Sequence, residues 1–286
     1  MTQRKTLSGK RIVITGAARG IGFATARDAI ERGARVALLD RDDLAVKQAA
    51  EQLGPAACAF VADVTDADQL RAAIDAAAVA LGGLDVVFAN AGVAPKMVTV
   101  SGTSTAEFDR VIGINLRGAW NTVQAGLPHL RATSGQIVLV ASVYSYLNGA
   151  FCAPYAVSKA GVEALGRTLH VELATEGIAV TTAHFGFVDT DLVHGSFDGD
   201  PLTEQLEALF PGALTKRISP ERAAAELLRG VERRKSWIVA PAPWLPLDWL
   251  RGISGPLGDA ALARLPKFRQ LVAQARARED AAEGTA

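Results

Sequence analysis

Cysteine is scarce in this chain: Cys58 and Cys152 are the only two among 286 residues, and histidine occurs four times. Two distant thiols with no neighbouring histidine give no metal-ligand spacing and no disulfide framework, and they suit a reducing compartment. Cys58, within Ala56–Val61, is expected to be a small core residue. Net charge is missing as well, with 30 Lys and Arg against 30 Asp and Glu, which argues against a nucleic-acid partner. Four Trp and ten Phe are scattered without a pattern of basic interleaving, so nothing reads as a base-stacking platform. No run of eighteen apolar residues exists to cross a membrane, and Met1–Thr6 has no leader-like apolar stretch. The location expected from these absences is cytoplasmic.

Apolar residues are abundant, at 49%, enough for a large core. Short β-branched runs alternate with helical periodicity from Arg11 to Ala240. That alternation predicts an α/β fold, a doubly wound parallel sheet of about seven strands with helices on both faces. Residues 1–240 read as one dinucleotide-binding and catalytic domain. Residues 241–286 read as an extension packed on it or on a neighbouring subunit, with Glu283–Ala286 expected to fray.

The richest stretch runs from Ala141 to Lys159. It follows the buried-strand pattern Gln136–Val140 and holds Ser142, then Tyr155 thirteen residues on, then Lys159 four further. On a helix over 153–174, Tyr155 and Lys159 share one face. A lysine beside a phenol makes the phenol useful near neutral pH.

At the other end, strand Arg11–Thr15 runs into Gly16-Ala17-Ala18-Arg19-Gly20-Ile21-Gly22 and a helix that stops at Gly33. Gly16 suits a tight turn, Gly20 a close approach of backbone to pyrophosphate, and Gly22 close packing of helix on strand. The helix N-terminus then offers N–H groups to phosphate. Asp40 ends the second strand eighteen residues after Gly22. Its carboxylate suits an adenosine ribose and opposes a 2′-phosphate, which favours NAD; Arg19 and Arg41 keep NADP as the alternative. Asp63, with Val64, ends the third strand and is a candidate for the adenine amino group. The fourth strand, Leu84–Phe88, ends in Asn90-Ala91-Gly92, small enough for a ligand to approach. A helix over 105–127, punctuated by Pro128, carries Asn115 in an apolar setting where its amide needs a partner. Residues 191–217 read as a turn-rich cover with a short helix near 202–210. Ser219 and Pro220 open another helix before the last strand, 236–240. Pro241–Leu250 holds two tryptophans and three prolines, and a basic helical pattern runs from Asp259 to Arg278.

Together, Thr15-Gly16-x-x-x-Gly20-x-Gly22, Asn90-Ala91-Gly92, and Asn115, Ser142, Tyr155 and Lys159 at their intervals resemble the compact single-domain branch of the short-chain dehydrogenase/reductase family. The resemblance spans about residues 9–240. It implies a Rossmann fold and reversible hydride transfer between a nicotinamide and an alcohol or ketone. It also implies that Tyr155 moves the substrate proton and Lys159 bonds the nicotinamide ribose. In the same scheme Ser142 orients the substrate oxygen, Asn115 holds a relay water, and Val188 and Thr190 hold the carboxamide. Pairing of subunits through helices near 105–127 and 153–174 is implied as well, as a homodimer or homotetramer. The chain departs from the family at Phe185-Gly186, where Pro-Gly is usual, which puts the local loop in question. Tyr144, Phe151, Cys152, Phe185, Phe187, Leu192 and the Trp244/Trp249 segment are the candidates for lining an apolar pocket for a lipophilic secondary alcohol or ketone. The alternatives are an NADPH-dependent carbonyl reductase, a cofactor-binding protein without turnover, and a membrane-peripheral protein using the Trp/Pro segment.

Overall fold

The computed structural model describes residues 7–283. Met1–Thr6, read above for a leader, and residues 284–286 of the expected frayed end lie outside that range.

Seven strands form one sheet in the order β3-β2-β1-β4-β5-β6-β7, every neighbouring pair parallel. They are β1 (Arg11–Thr15), β2 (Arg35–Asp40), β3 (Ala57–Val61), β4 (Val86–Ala89), β5 (Gln136–Val140), β6 (Ala179–Phe185) and β7 (Trp237–Ala240). The central β4 and β5 are buried along their whole length, as continuous Val/Ile/Leu runs require when both sheet faces are covered. Helices α1 (Gly20–Glu31), α2 (Asp43–Leu53), α3 (Ala67–Leu81), α4 (Thr105–Ile112), α5 (Gly118–Arg131) and α6 (Ala153–Glu172) connect the first six strands. Short helices α7 (Asp191–Phe197), α8 (Pro201–Glu207) and α9 (Gly212–Thr215) follow β6, and α10 (Pro220–Glu232) leads to β7. Beyond β7 lie α11 (Leu245–Trp249), α12 (Arg251–Arg264) and α13 (Pro266–Glu283).

Sequence-local chemistry sets many of the boundaries. Asp42, Asp66, Ser104 and Ser219 accept backbone N–H bonds as N-caps of α2, α3, α4 and α10. Three expectations need correction. β4 starts at Val86, and Asp85 before it bonds the Arg11 carbonyl through its N–H (2.8 Å) and the Arg11 side chain through its carboxylate (2.8 Å). Pro128 does not end its helix: it is exposed in the last turn of α5, where its missing N–H frees one carbonyl to solvent. Cys58 is half-buried on the edge strand β3 rather than sealed in the core.

Apolar clusters fill both faces of the sheet, one around Leu70, Ile74, Leu130 and Leu139, the other around Ile12, Leu38, Phe88 and Leu227. A third cluster lies beyond the C-terminal strand ends and draws in Trp244, Phe268, Leu271 and Ala275 from the C-terminal segment. A buried polar contact also fastens that segment. Arg251 donates to Glu163 of α6 (2.6 Å), whose other oxygen lies 3.1 Å from His184 Nε2; His184 stacks on Trp237, their ring centres 4.0 Å apart. No described helix is long and apolar enough to cross a membrane.

Candidate active site

Strand order reverses between β1 and β4, and a groove opens there at the C-terminal ends of the strands, where ligands of such sheets bind. Its free volume is about 600 Å³. The wall under a phosphate is Gly16, Arg19, Gly20 and Ile21. Farther along stand Asp40, Arg41, Asp63 and Val64, and then Asn90, Ala91 and Gly92. Lys159, Val188 and Thr190 close the inner end. Of the residues expected at the cofactor, only Gly22 does not face the groove, because its work is packing.

A methyl on Gly22 would strike the Gly16 carbonyl and come within 2.7 Å of Asn90 Nδ2. Gly16 takes a left-handed φ of 65°, and a Cβ there would lie 2.7 Å from Ala91 Cα. Asn90 fixes this turn by donating to the carbonyls of Thr15 (2.9 Å) and Gly16 (3.1 Å). Asn90 therefore holds the glycine turn in place rather than facing a ligand with its amide. The N-cap of α1, Arg19, is extended and supplies no side-chain cap, and the first turn carries no acid. Its N–H groups and dipole are left to an anion, which is how a pyrophosphate fits.

Asp40 accepts the Ala18 N–H (3.2 Å) at the end of β2, and Arg19 pairs with Asp42 (3.2 Å) at the rim. Asp63 takes both the N–H (2.8 Å) and the hydroxyl (2.7 Å) of Thr65 on one oxygen. Those bonds, led by the backbone one, hold its carboxyl below the ordinary value despite partial burial. Asp66, not Asp63, caps α3.

Asn115 lies in a π-helical turn, Gly113–Arg117, between α4 and α5. Its amide is fully engaged: Val93 N–H donates to its oxygen (2.8 Å), and its Nδ2 donates to the Val93 carbonyl (2.9 Å) and Ser158 Oγ (3.0 Å). The partner the sequence demanded is thus the loop after β4 plus a serine of α6. Both amide hydrogens are thereby spent, and the side chain's remaining capacity is the second lone pair of its oxygen.

Tyr155 stands where the groove meets a second, apolar pocket, and it borders both. Burial pushes its phenol up to about 12, with the Ser142 hydroxyl pulling partly the other way. In the cofactor-free protein the net shift is therefore upward, against the lowering expected from Lys159. Lys159 is buried, donates to the Val140 carbonyl (2.8 Å), and sits with Nζ 5.6 Å from the centre of the Tyr155 ring. Burial lowers its ammonium to about 8. Ser142 Oγ donates to the Phe185 carbonyl (3.3 Å) and accepts Tyr144 N–H (3.2 Å).

The apolar pocket is walled by Tyr144, Cys152, Phe187 and Leu192, as expected, and by Met97, Val143 and Val193, which no motif marked. Burial raises the Cys152 thiol to about 12, so it acts as an apolar wall, not a nucleophile. Three candidates fall elsewhere. Phe185 lines the cofactor groove instead, because β6 continues through it to pair with Ala240, and its carbonyl receives Ser142. Phe151 lies behind the pocket, in the third apolar cluster. Trp244 is buried against Gly186, and Trp249 is 78% exposed. No group of three His, Cys, Asp or Glu side chains gathers for a metal among the described residues.

Comparison with known proteins bears on this geometry. The family described as short chain dehydrogenase matches residues 10–200. The chain is 41% identical over 188 residues, 64% of its length and 75% of the relative's, to cis-4-hydroxycyclohexanecarboxylate dehydrogenase of Sinomonas cyclohexanicum. It is 37% identical over 187 residues, 64% of its length and 71% of the relative's, to the mitochondrial (-)-isopiperitenol/(-)-carveol dehydrogenase of Mentha piperita. Among solved structures it resembles 3-ketoacyl-(acyl-carrier-protein) reductase from Brucella melitensis complexed with NADH. That likeness has a TM-score of 0.75 at 26% identity and covers 82% of this chain and 97% of the other.

Proposed function

The chain belongs to the short-chain dehydrogenase family, and from that premise we propose that it interconverts a lipophilic secondary alcohol and its ketone with NAD. The observation that carries this reading is the place of Tyr155, the one titratable side chain among the residues that border both the nucleotide groove and the apolar pocket. When bound, the nicotinamide supplies or accepts the hydride. The chain does the rest. Tyr155 takes the alcohol proton in oxidation and returns it in reduction. Ser142 exchanges its long bond to Phe185 for one to the substrate oxygen. Lys159 steadies the phenolate with its charge and reaches the ribose, and the main chain at Asn115 holds the water that passes the proton outward.

Asp40 at the tip of β2, with Arg19 turned to Asp42, supports NAD over NADP. The pocket's apolar walls, with no basic side chain among them, support a neutral lipophilic substrate. Two of the relatives are named for substrates with a six-membered carbon ring, which agrees with a ring alcohol. We infer a single catalytic domain over residues 1–240, a cytoplasmic location, and a homodimer or homotetramer. Exposed Phe108, Trp120 and Val157 on α4, α5 and α6 support the oligomer. The test is turnover of ring alcohols with NAD⁺ by the purified protein, read as nicotinamide reduction. Tyr155→Phe is expected to lose more than about 99% of kcat while NAD⁺ still binds; retained turnover in that variant removes the mechanism.

One observation favours a second reading, contact with a membrane surface. Trp249, Leu250, Ile253 and Leu257 are each more than half exposed along α11 and α12. Liposome flotation decides it: full-length protein that floats, and a Trp249→Ser, Ile253→Ser variant that does not, would support the contact.

A further inference from the structure

The apolar pocket beside Tyr155 has a free volume of only about 40 Å³. That is far below the roughly 300–1,000 Å³ of pockets that take small organic ligands. The pocket shares Ala94, Tyr155, Gly186, Leu192 and Val193 with the larger groove, so a substrate of the class proposed above lies across that junction, and whatever holds the pocket's walls together limits its bulk.

The holding is done by the C-terminal helix. Leu271 and Ala275 of α13 are buried in the apolar cluster that includes Met97, Phe187, Leu202 and Leu206, behind the pocket. Farther along α13, the Glu279 carboxylate accepts the Thr99 N–H (2.7 Å) and the Thr99 hydroxyl (2.6 Å). Gly102 lies so close to Glu279 that a Cβ there would collide with the carboxyl group. The same helix is tied to α8 through Arg278, which donates to Asp200 (2.8 Å), the N-cap of α8. Behind the pocket, Phe268 of the same helix meets the Phe151 ring edge-on at 6.0 Å. Phe151 takes a left-handed φ of 64°, a conformation that a bulky residue keeps only when its surroundings enforce it. Its carbonyl in turn accepts Val98 N–H (3.0 Å), so the 93–103 loop and the Phe151 loop are cross-tied on either side of the pocket.

We propose that α13 is a strap across the substrate pocket, latched by Glu279 to the Thr99 loop, and that this latch sets the size of alcohol the enzyme accepts. The proposal rests on the alcohol-dehydrogenase reading given above. Glu279 and Thr99 touch neither the nucleotide groove nor Tyr155, so they are positioning residues. Releasing the latch lets the 93–103 wall retreat: a bulkier alcohol gains, and a compact one loses orientation.

The experiment uses full-length protein, NAD⁺, and two probes, cyclohexanol and the two-ring alcohol decalol. In Glu279→Ala the kcat/KM ratio of decalol to cyclohexanol rises about tenfold, a difference of about 1.4 kcal/mol. Thr99→Val, which keeps the N–H donor, moves the ratio part of the way. Glu279→Gln, which keeps an acceptor for Thr99 N–H, stays near wild type. The double variant Thr99→Val, Glu279→Ala adds nothing to Glu279→Ala. Amide exchange quickens over residues 93–103 in Glu279→Ala and not in β4 or β5. A ratio within about twofold of wild type in Glu279→Ala, or an equal fall for both alcohols together with weaker NAD⁺ binding, overturns the latch. If wild type turns over neither alcohol, the alcohol reading fails, and the latch stands or falls on the exchange measurement alone.

Discussion

Replacing Lys159 with methionine removes a charge while keeping most of the side chain's bulk, and so isolates what the charge does. In the cofactor-free protein burial drives Tyr155 up to about 12, so almost no phenolate exists near neutral pH. Lys159, brought by burial to about 8, is still mostly protonated there. With Nζ 5.6 Å from the ring centre and an effective dielectric of about 20, its charge favours the phenolate by about 3 kcal/mol, or about two pH units. In the mechanism proposed above alcohol oxidation needs Tyr155 deprotonated, so its rate is expected to climb about tenfold per pH unit below the phenol's value in the complex. Without the ammonium that value is higher, and the climbing limb moves about two units toward alkali. Near neutral pH, kcat/KM for oxidation falls about 100-fold. Above about pH 8 the wild type sheds the same charge, and the two profiles draw together. Initial rates of ring-alcohol oxidation from about pH 6 to about pH 10, at saturating NAD⁺, supply both profiles. Methionine also leaves the buried Val140 carbonyl without its donor, so a modest fall in melting temperature is expected, and a melt that stays cooperative separates this loss from misfolding. An unmoved limb with a uniform drop at every pH would refute the electrostatic role and leave Lys159 only its ribose contact.

Gly22→Ala is expected to abolish NAD⁺ binding and cost about 1–3 kcal/mol of stability, because the new methyl meets the Gly16 carbonyl, Asn90 and the Ala17 backbone with nowhere to go. Calorimetric titration and thermal melting check it, and intact binding would mean the turn is looser than its contacts imply. Asp40→Ser is expected to raise the ratio of NADP⁺ to NAD⁺ affinity at least about tenfold by removing a carboxylate that opposes a 2′-phosphate; an unchanged ratio in titration refutes it. Arg251→Met strips Glu163 of one partner in a buried setting and is expected to cost about 2–4 kcal/mol by denaturant unfolding. Burial pushes the Glu163 carboxyl up, but His184 and Arg251 outweigh it and leave it below the ordinary carboxylate value. The native state therefore gains from Glu163 above the ordinary carboxylate pKa and loses that gain as pH falls, so the gap between wild type and variant should close in acid.

What the chain reveals in one dimension is what local chemistry decides. Seven apolar runs became seven strands because both sheet faces are covered, and Asp42, Asp66, Ser104 and Ser219 became caps because their oxygens reach N–H groups three residues on or fewer. Tyr155 and Lys159 share a helix face by periodicity alone. Asp40, Asp63, Asn90 and Ser142 come together because parallel strands deliver all their C-terminal ends to one edge. Helix 105–127 shows where this logic stops. Periodicity reads it as one helix, but the π turn that swings Asn115 toward Val93 and Ser158 adds a residue to a turn without disturbing the apolar pattern on either side.

The pocket side of Tyr155 was the least legible part, for a reason of distance along the chain. Glu279 meets Thr99 across 180 residues, and Arg251 meets Glu163 across 88; neither pair carries a spacing that marks it. Glu279 follows the basic stretch that ends at Arg278 and stands next to Asp280, where a carboxylate reads as a solvated face. Phe185 and Phe151 looked like pocket walls because they are aromatic and near the catalytic stretch. Which way each ring points was decided by backbone events with no residue signature: β6 running on to Phe185, and the left-handed φ at Phe151. The proposed proton chemistry therefore rests on short intervals that survive in isolation, whereas the proposed choice of substrate rests on contacts between segments far apart in the chain. A substitution in the C-terminal 40 or so residues should accordingly change which alcohol is used long before it changes how the proton moves.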